Sequence, residues 1–355
     1  MSASLVSICV PTYNRCRFLR ETVPTILAQD YAPLEIVISD NASTDDTEAY
    51  CRDVANADPR VRYIRQPTGL RIYRNHNVAL EAAKGEFVAF FHDDDLYAPQ
   101  IVSRYVALLN AHPSVGVVCA DWGLIAETGR DVGARVYDVP EVQPGRAYVE
   151  QTLRSGRSSI ALSAAMIRRS ALDELRLGEE GPIGFEDFVL WFRLAERCDV
   201  GHIGERLWRY RVHRAALSRI TITRMARDYR ENLVRYCDDY LRRHPGDAAT
   251  VTAWKAAIDR YLFWALGYEA ALHFRHSGGK TGGRVVAGTT FELTDYRLSA
   301  EEFAEVLRAL ERHRTGLVQH AAFACLMLVL RLRLTAPLGW VTRYPAFLRR
   351  LVGME

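Results

Sequence analysis

Apolar residues fall in short unbroken runs along the N-terminal part of the chain, and polar stretches with helical spacing follow them. The runs "VSICV" (6–10), "LEIVIS" (34–39), "VRYIRQ" (61–66), "EFVAFFH" (86–92) and "VGVVCADWGLI" (115–125) predict strands. Between them, "FLRETVPTILAQ" (18–29) predicts a helix interrupted at Pro24. "TDDTEAYCRDVA" (44–55) predicts one with acids in its first turn, and "YRNHNVALEAAKG" (73–85) one closed by Gly85. Strands without polar alternation are buried on both faces. The alternation therefore predicts an α/β domain, a parallel sheet with helices on both faces.

The pattern changes from residue 221 onward. "RMARDYRENLVRYCDDYLRRHP" (224–245) and "SAEEFAEVLRALERHR" (299–314) have the spacing of amphipathic helices, and the Gly-rich "HSGGKTGGRVVAGTT" (276–290) predicts a loop between them. The expected division is an α/β domain over 1–220 and a mainly helical region over 221–355. A length of 355 residues suits one large domain with an appendage.

Composition narrows the class of protein. Forty-six basic and 43 acidic residues leave a net charge of +3, too balanced for bulk nucleic-acid binding. The seven cysteines are scattered and form no CxxC pair, which argues against a disulfide framework or a structural zinc site. "LVSICV" near the start is only strand-length, ends at Pro11 and has no basic segment before it. The expectation is a cytoplasmic protein without a signal peptide.

The unusual polar residues sit just after predicted strands: "PTYNR" (11–15), "DNASTDDT" (40–47) and "HDDD" (92–95). In open parallel sheets, ligands bind outside the carboxyl ends of the strands, so all three segments should meet on one edge. One Asp/Asn-rich turn alone reads as a solvated turn, but three at three strand ends call for a ligand. Adjacent aspartates suit a hard divalent cation that also reaches a substrate phosphate. Neither GxxxxGK[ST] nor GxGxxG follows the first strand, so a nucleotide here would be held by a metal and arginines.

Taken in order, "VSICVPTYNR", "EIVISDNASTDDT", "NVALEAAKGEFVAFFHDDDLYAP" and "GFEDFVLWFRLAER" resemble the family 2 glycosyltransferases of GT-A fold, over residues 5–215. The resemblance implies a Rossmann-like mixed sheet and inverting transfer of a sugar from a nucleotide sugar, typically a UDP-sugar, with Mn²⁺ or Mg²⁺. It implies that Pro11, Thr12, Tyr13 and Arg15 line the nucleotide, that Asp40 accepts a hydrogen bond from the base, and that Asn41 and Ser43 lie beside it. Arg71 or Arg74 would face the diphosphate. Relatives often show Arg-Asn-x-Gly here, whereas this chain has Asn77 in place of the glycine, which leaves both arginines open. Asp93 would bind the ribose and Asp94 the metal, with Asp95 in reserve, because His92 stands where many relatives carry aspartate. Asp187 would be the general base, with Glu186 beside it structural or acceptor-binding. His213, in "LWRYRVHRAALS" (207–218), would contact the metal or diphosphate, and Arg209 and Arg211 would neutralise phosphate. Residues 158–170 sit where relatives contact the acceptor. Trp191 and Trp208 read as core.

At the C-terminal end, "AAFACLMLVLRLRL" (321–334) falls short of the ~20 apolar residues that span a bilayer. Further arginines follow, interleaved with Trp340, Tyr344 and Phe347, and Glu355 is the only acid after position 316. That pattern suits a helix lying in the surface of an anionic membrane, at the inner face of the cytoplasmic membrane, near a lipid-linked or other saccharide acceptor. A helical hairpin packed on the catalytic domain, or a contact between copies in a homo-oligomer, is the competing expectation. The rival functions are a nucleotidyltransferase, which would need a GxGxR loop after the first strand, and a sugar-nucleotide-binding protein without turnover.

Overall fold

The computed structural model describes residues 3–172, 175–178, 185–213, 222–276, 284–286, 289–291, 308–309 and 311–312. They divide into two compact units: Met1–Val149 with Ser158–Arg214, and Glu150–Arg157 with Ala215–Glu355.

In the first unit, β1 (Val6–Thr12), β2 (Leu34–Asp40), β3 (Val61–Arg65) and β4 (Phe87–Phe90) form a parallel sheet in the order β3-β2-β1-β4. Helices α1 (Cys16–Leu27), α2 (Thr47–Ala57) and α3 (Ile72–Ala82) connect them. The chain steps one way from β1 to β3 and then returns across β1 to β4. Right-handed crossovers therefore put α1 and α2 on one face and α3 on the other. The point of reversal, between β1 and β4, is where an open sheet parts to admit a ligand.

The sheet continues through a short β5 (Leu96–Tyr97), α4 (Ile101–Ala111), the long β6 (Val115–Ala126), β7 (Asp131–Arg135), β8 (Val142–Gln143) and α5 (Gly145–Ser155). After a 3₁₀ turn at Leu162–Ala164 come β9 (Met166–Arg168), α6 (Arg169–Leu172), α7 (Glu186–Ala195) and β10 (Asp199–Val212). Strand β9 runs antiparallel to both β4 and β6, and β5 antiparallel to β10. The sheet is mixed, with helices, although the apolar runs alone pointed to a parallel one.

Ile8, Val10, Ile36, Ile38, Phe87 and Ala89 are all buried in one core cluster. Each large apolar side chain so buried stabilises the fold by about 1.5–3 kcal/mol. The same burial explains why α1 runs through Pro24 instead of breaking there. A proline inside a helix costs about 3 kcal/mol, but Phe18, Leu19, Val23 and Ile26 of that helix are buried and offset it. Trp191 and Trp208 lie in the core, as expected.

The second unit holds α8 (Ile222–Arg243) and α9 (Ala248–His276), the expected helical region. In the segment expected to be a loop, Arg284–Val286 and Thr289–Phe291 pair as a short antiparallel ribbon, β11 and β12. The proposed surface helix at 321–334 and the aromatic and basic residues after it lie outside the described residues. Among the described residues, no helix is long and apolar enough to cross a membrane.

Candidate active site

The carboxyl ends of β1, β2 and β4 meet as the sequence predicts. Thr12 pairs with Asp40 in register, and Phe91 N–H donates to the Cys9 carbonyl. The loops after β1 and β2 are tied together. Asn14 N–H donates to Ser43 Oγ (2.8 Å), Thr44 N–H to Asn14 Oδ1 (2.7 Å) and Cys16 N–H to Asp45 Oδ2 (3.2 Å). Asn14 and Ala42 in these loops have φ of 52° and 60°, and Phe185 just before α7 has 65°. These are all the described non-glycine residues with positive φ, and all three flank the predicted site. Such conformations cost energy that the surrounding hydrogen bonds must offset.

Asp40 is fully buried. Its Oδ1 accepts from Ser43 N–H (2.9 Å) and its Oδ2 from the Tyr63 hydroxyl (2.6 Å), with Arg65 Nε 3.8 Å away. A contact from Asp40 to a base would use only the lone pairs these donors leave. Asn41 bonds both ways with Leu70, its amide donating to the Leu70 carbonyl (2.9 Å) and accepting from its N–H (2.6 Å). That clasp fixes the approach to Arg71, the exposed residue at the entry to α3. Arg74 pairs with Glu81 on the same helix (3.0 Å). Tyr13 is 53% exposed, and Arg15 lies close enough to Asp93 and Asp94 for its charge to act on both.

The three aspartates after β4 have different surroundings. Thr22 of α1 donates its hydroxyl to the backbone carbonyls of Asp93 (3.2 Å) and Asp95 (2.8 Å), which pins the run. Burial raises the Asp93 carboxyl, and the Asp94 charge adds to it against the opposing Thr12 hydroxyl, Arg15 charge and Tyr13 N–H. Burial also works to raise Asp94. The hydrogen bond from His213, then the charges of His92, His213 and Arg15, outweigh it and hold Asp94 below the usual range. His213 Nε2 is 2.9 Å from Asp94 Oδ2, so the expected metal-side residue touches the expected metal ligand. Asp95 is raised by burial and then by the Asp94 charge. Its Oδ1 accepts from Arg211 N–H (2.8 Å), while its fully buried Oδ2 has no hydrogen-bond partner among the described residues. The Ser163 hydroxyl lies near enough to ease the Asp95 charge without bonding Oδ2.

A divalent cation fits this chemistry. Repelling carboxylates and an orphaned buried carboxylate oxygen are what a cation would satisfy. Ligand atoms of His92, Asp94 and Asp95 lie within 4.8 Å of one another. Sequence reasoning passed over His92 as a departure from the usual aspartate. An imidazole directly before three carboxylates was the signal that could have found it.

Arg211 is buried against the aspartate run. Its guanidinium donates to the Asp94 carbonyl (2.7 Å), the Glu127 carbonyl (3.1 Å) and Glu21 Oε2 (2.7 Å), and its side chain is buried over Phe18. It braces the aspartate run from behind, with Nε, Nη1 and Nη2 each donating to a protein oxygen. Arg209 is exposed on the same strand.

On the other side, Glu186 and Asp187 open α7. Burial pushes the Asp187 carboxyl up to about 6, against the N–H groups of Phe188 and Asp187 and the Trp191 indole. Glu186 is buried, and a Cβ on Gly178 would collide with its carboxylate, so the two are packed face to face. Helix α3 supports this side. The Asn77 amide donates to the Leu177 carbonyl (2.9 Å) and accepts from the Leu177 N–H (3.1 Å). Asn77 thus replaces the relatives' glycine with a clasp on the segment before α7. Tyr73 lies within reach of both acids, whose charges, after burial, raise its hydroxyl.

Residues 7–176 match the family described as Glycosyl transferase family 2. EpsE of Bacillus subtilis is 30% identical over 227 residues, which cover 62% of this chain and 78% of EpsE. The chain belongs to glycosyl transferase family 2. The matches span only 22–35% of the length of three other curated relatives. Among solved structures, Staphylococcus aureus TarS 1–349 in complex with UDP-GlcNAc aligns with a TM-score of 0.58 and 18% identity, over 87% of this chain and 80% of that one. The mannosyltransferase PcManGT from Pyrobaculum calidifontis, in complex with GDP-Man and Mn²⁺, aligns at 0.53 and 21%, over 98% and 85%. The fold is GT-A-like, as the resemblance implied.

Proposed function

We propose that the chain is an inverting transferase that moves a sugar from a UDP-sugar to a hydroxyl of a saccharide or lipid-linked acceptor, in bacterial surface polysaccharide or glycoconjugate assembly. The observation that carries the proposal is the convergence of the β1, β2 and β4 ends on a cation-compatible aspartate run, with an elevated carboxyl opening α7. Pro11, Thr12, Tyr13, Arg15, Asn41 and Ser43 line the nucleotide, Asp40 shapes the base pocket, and Asp93 takes the ribose hydroxyls. Asp94 would hold Mn²⁺ or Mg²⁺, with Asp95 and His213 beside it, and the cation would supply positive charge to the diphosphate. Arg71 or Arg74 adds a second positive charge there.

Asp187 accepts the proton of the acceptor hydroxyl as that oxygen attacks the anomeric carbon from the face opposite UDP. The sugar–phosphate bond breaks, and its electron pair leaves with the UDP. One carboxylate suffices, and a carboxyl titrating near 6 is ionised at pH 7 yet more basic than an ordinary aspartate. Residues 1–220 would form the catalytic domain, and 221–355 a helical region that brings the enzyme to the inner face of the cytoplasmic membrane. The test is UDP release from a panel of UDP-sugars with acceptor, in Mn²⁺ and in chelator. Metal-dependent release with one donor is expected. Binding of UDP without turnover of any donor, or release of pyrophosphate in place of UDP, would defeat it.

A further inference from the structure

We propose that His92 is a nitrogen ligand of the Asp94–Asp95 cation site and biases that site toward transition-metal ions over Mg²⁺. The inference rests on the metal-assisted reading above and deepens it.

Hydrogen bonds orient the two buried imidazoles. The Ile72 carbonyl can only accept, so His76 Nδ1, 2.9 Å away, carries a proton. His92 turns Nε2 toward His76 Nε2 at 3.5 Å and Nδ1 toward the Ser163 hydroxyl at 3.0 Å. A metal-ligating histidine uses one nitrogen on the ion and has the other held by a partner that orients the ring, and His76 is such a partner for His92 Nε2. The hydroxyl rotor of Ser163 can turn aside without moving the backbone.

The second observation is independent of the histidines. Asp95 Oδ2 is buried without a hydrogen bond among the described residues, in the same cluster as His92 and Asp94. Asp94 supplies a side chain that is 17% exposed, an open approach for an ion arriving with its nucleotide. A set of two carboxylates and one imidazole differs in kind from an all-carboxylate set. Mg²⁺ takes oxygen ligands in strict octahedral geometry, whereas imidazole suits the later first-row ions, with affinity rising from Mn²⁺ to Co²⁺.

Pulsed electron paramagnetic resonance of Mn²⁺ on the full-length protein, without nucleotide, tests the ligand directly. Coupling to a directly bound nitrogen is expected in His213→Gln, where His213 cannot supply it, and lost when His92→Asn is added to that variant. The companion measurement, calorimetric titration of His92→Asp with Co²⁺ and Mg²⁺, keeps the test alive if His92→Asn folds poorly. The Co²⁺-to-Mg²⁺ affinity ratio should fall by about tenfold or more in that variant. Bound Mn²⁺ without nitrogen coupling in His213→Gln, coupling that survives the double variant, or an unchanged affinity ratio would overturn the proposal and leave the metal-assisted reading standing. A wild type that binds no Mn²⁺, with or without UDP, would overturn both.

Discussion

The donor edge and the acceptor side of the site are built in opposite ways. At the donor edge, neighbouring loops brace one another: Asn14 to Ser43 and Thr44, Asp45 to Cys16, Asn41 to Leu70. On the acceptor side, a single helix, α3, reaches about a hundred positions along the chain to hold Leu177 through Asn77 and places Tyr73 beside the α7 acids. A braced edge can hold one nucleotide geometry through many small bonds. A side held by a few long-range contacts can change acceptor by changing a few residues. If so, damage to one side should leave the other working.

The largest expected effect falls on the donor edge. Asp94→Ala removes the proposed metal carboxylate and leaves His213 without its partner. Turnover should vanish together with the part of UDP binding that Mn²⁺ enhances, measured by calorimetry with and without the ion. Unchanged Mn²⁺ enhancement in that variant would move the ligand role to Asp95.

The next effect is on the acceptor side and depends on pH. Asp187 must be ionised to accept a proton, so kcat should fall as pH drops through about 6. Stability should move the other way. The folded protein holds this proton more tightly than the unfolded chain does, so the Asp187 contribution to stability rises as pH falls through the same range. A kcat profile flat between pH 5 and pH 8 would count against Asp187 as the base.

The smallest effect should come from Asn77→Ala. It strands the Leu177 N–H and carbonyl, which costs about 1–3 kcal/mol for buried polar groups and loosens the segment before α7. The acceptor KM should rise while UDP affinity holds. An equal loss of both would erase the distinction between the two sides.

The contrast also explains what was legible in the sequence. Strands β1, β2 and β4 are buried on both faces and so wrote themselves as largely apolar runs. Their end residues were readable because strand ends are where such sheets bind ligands. The bracing role of Arg211 was hidden because its partners Glu21, Asp94 and Glu127 lie 84 to 190 positions away in the chain. A separation of 100 positions likewise hid the Asn77 clasp on Leu177. The antiparallel entry of β9 between β4 and β6 left no mark in a short apolar stretch.

One measurement meets the central claim head-on. Asp187→Asn preserves shape and removes basicity, and it takes away a charge that burial disfavours, so the variant should fold. On one sample, calorimetry should give wild-type UDP affinity in Mn²⁺ while kcat falls by about 10²–10⁴-fold. Near-normal turnover, or UDP binding lost along with turnover, would contradict a site in which the donor is held on one side and the proton taken on the other.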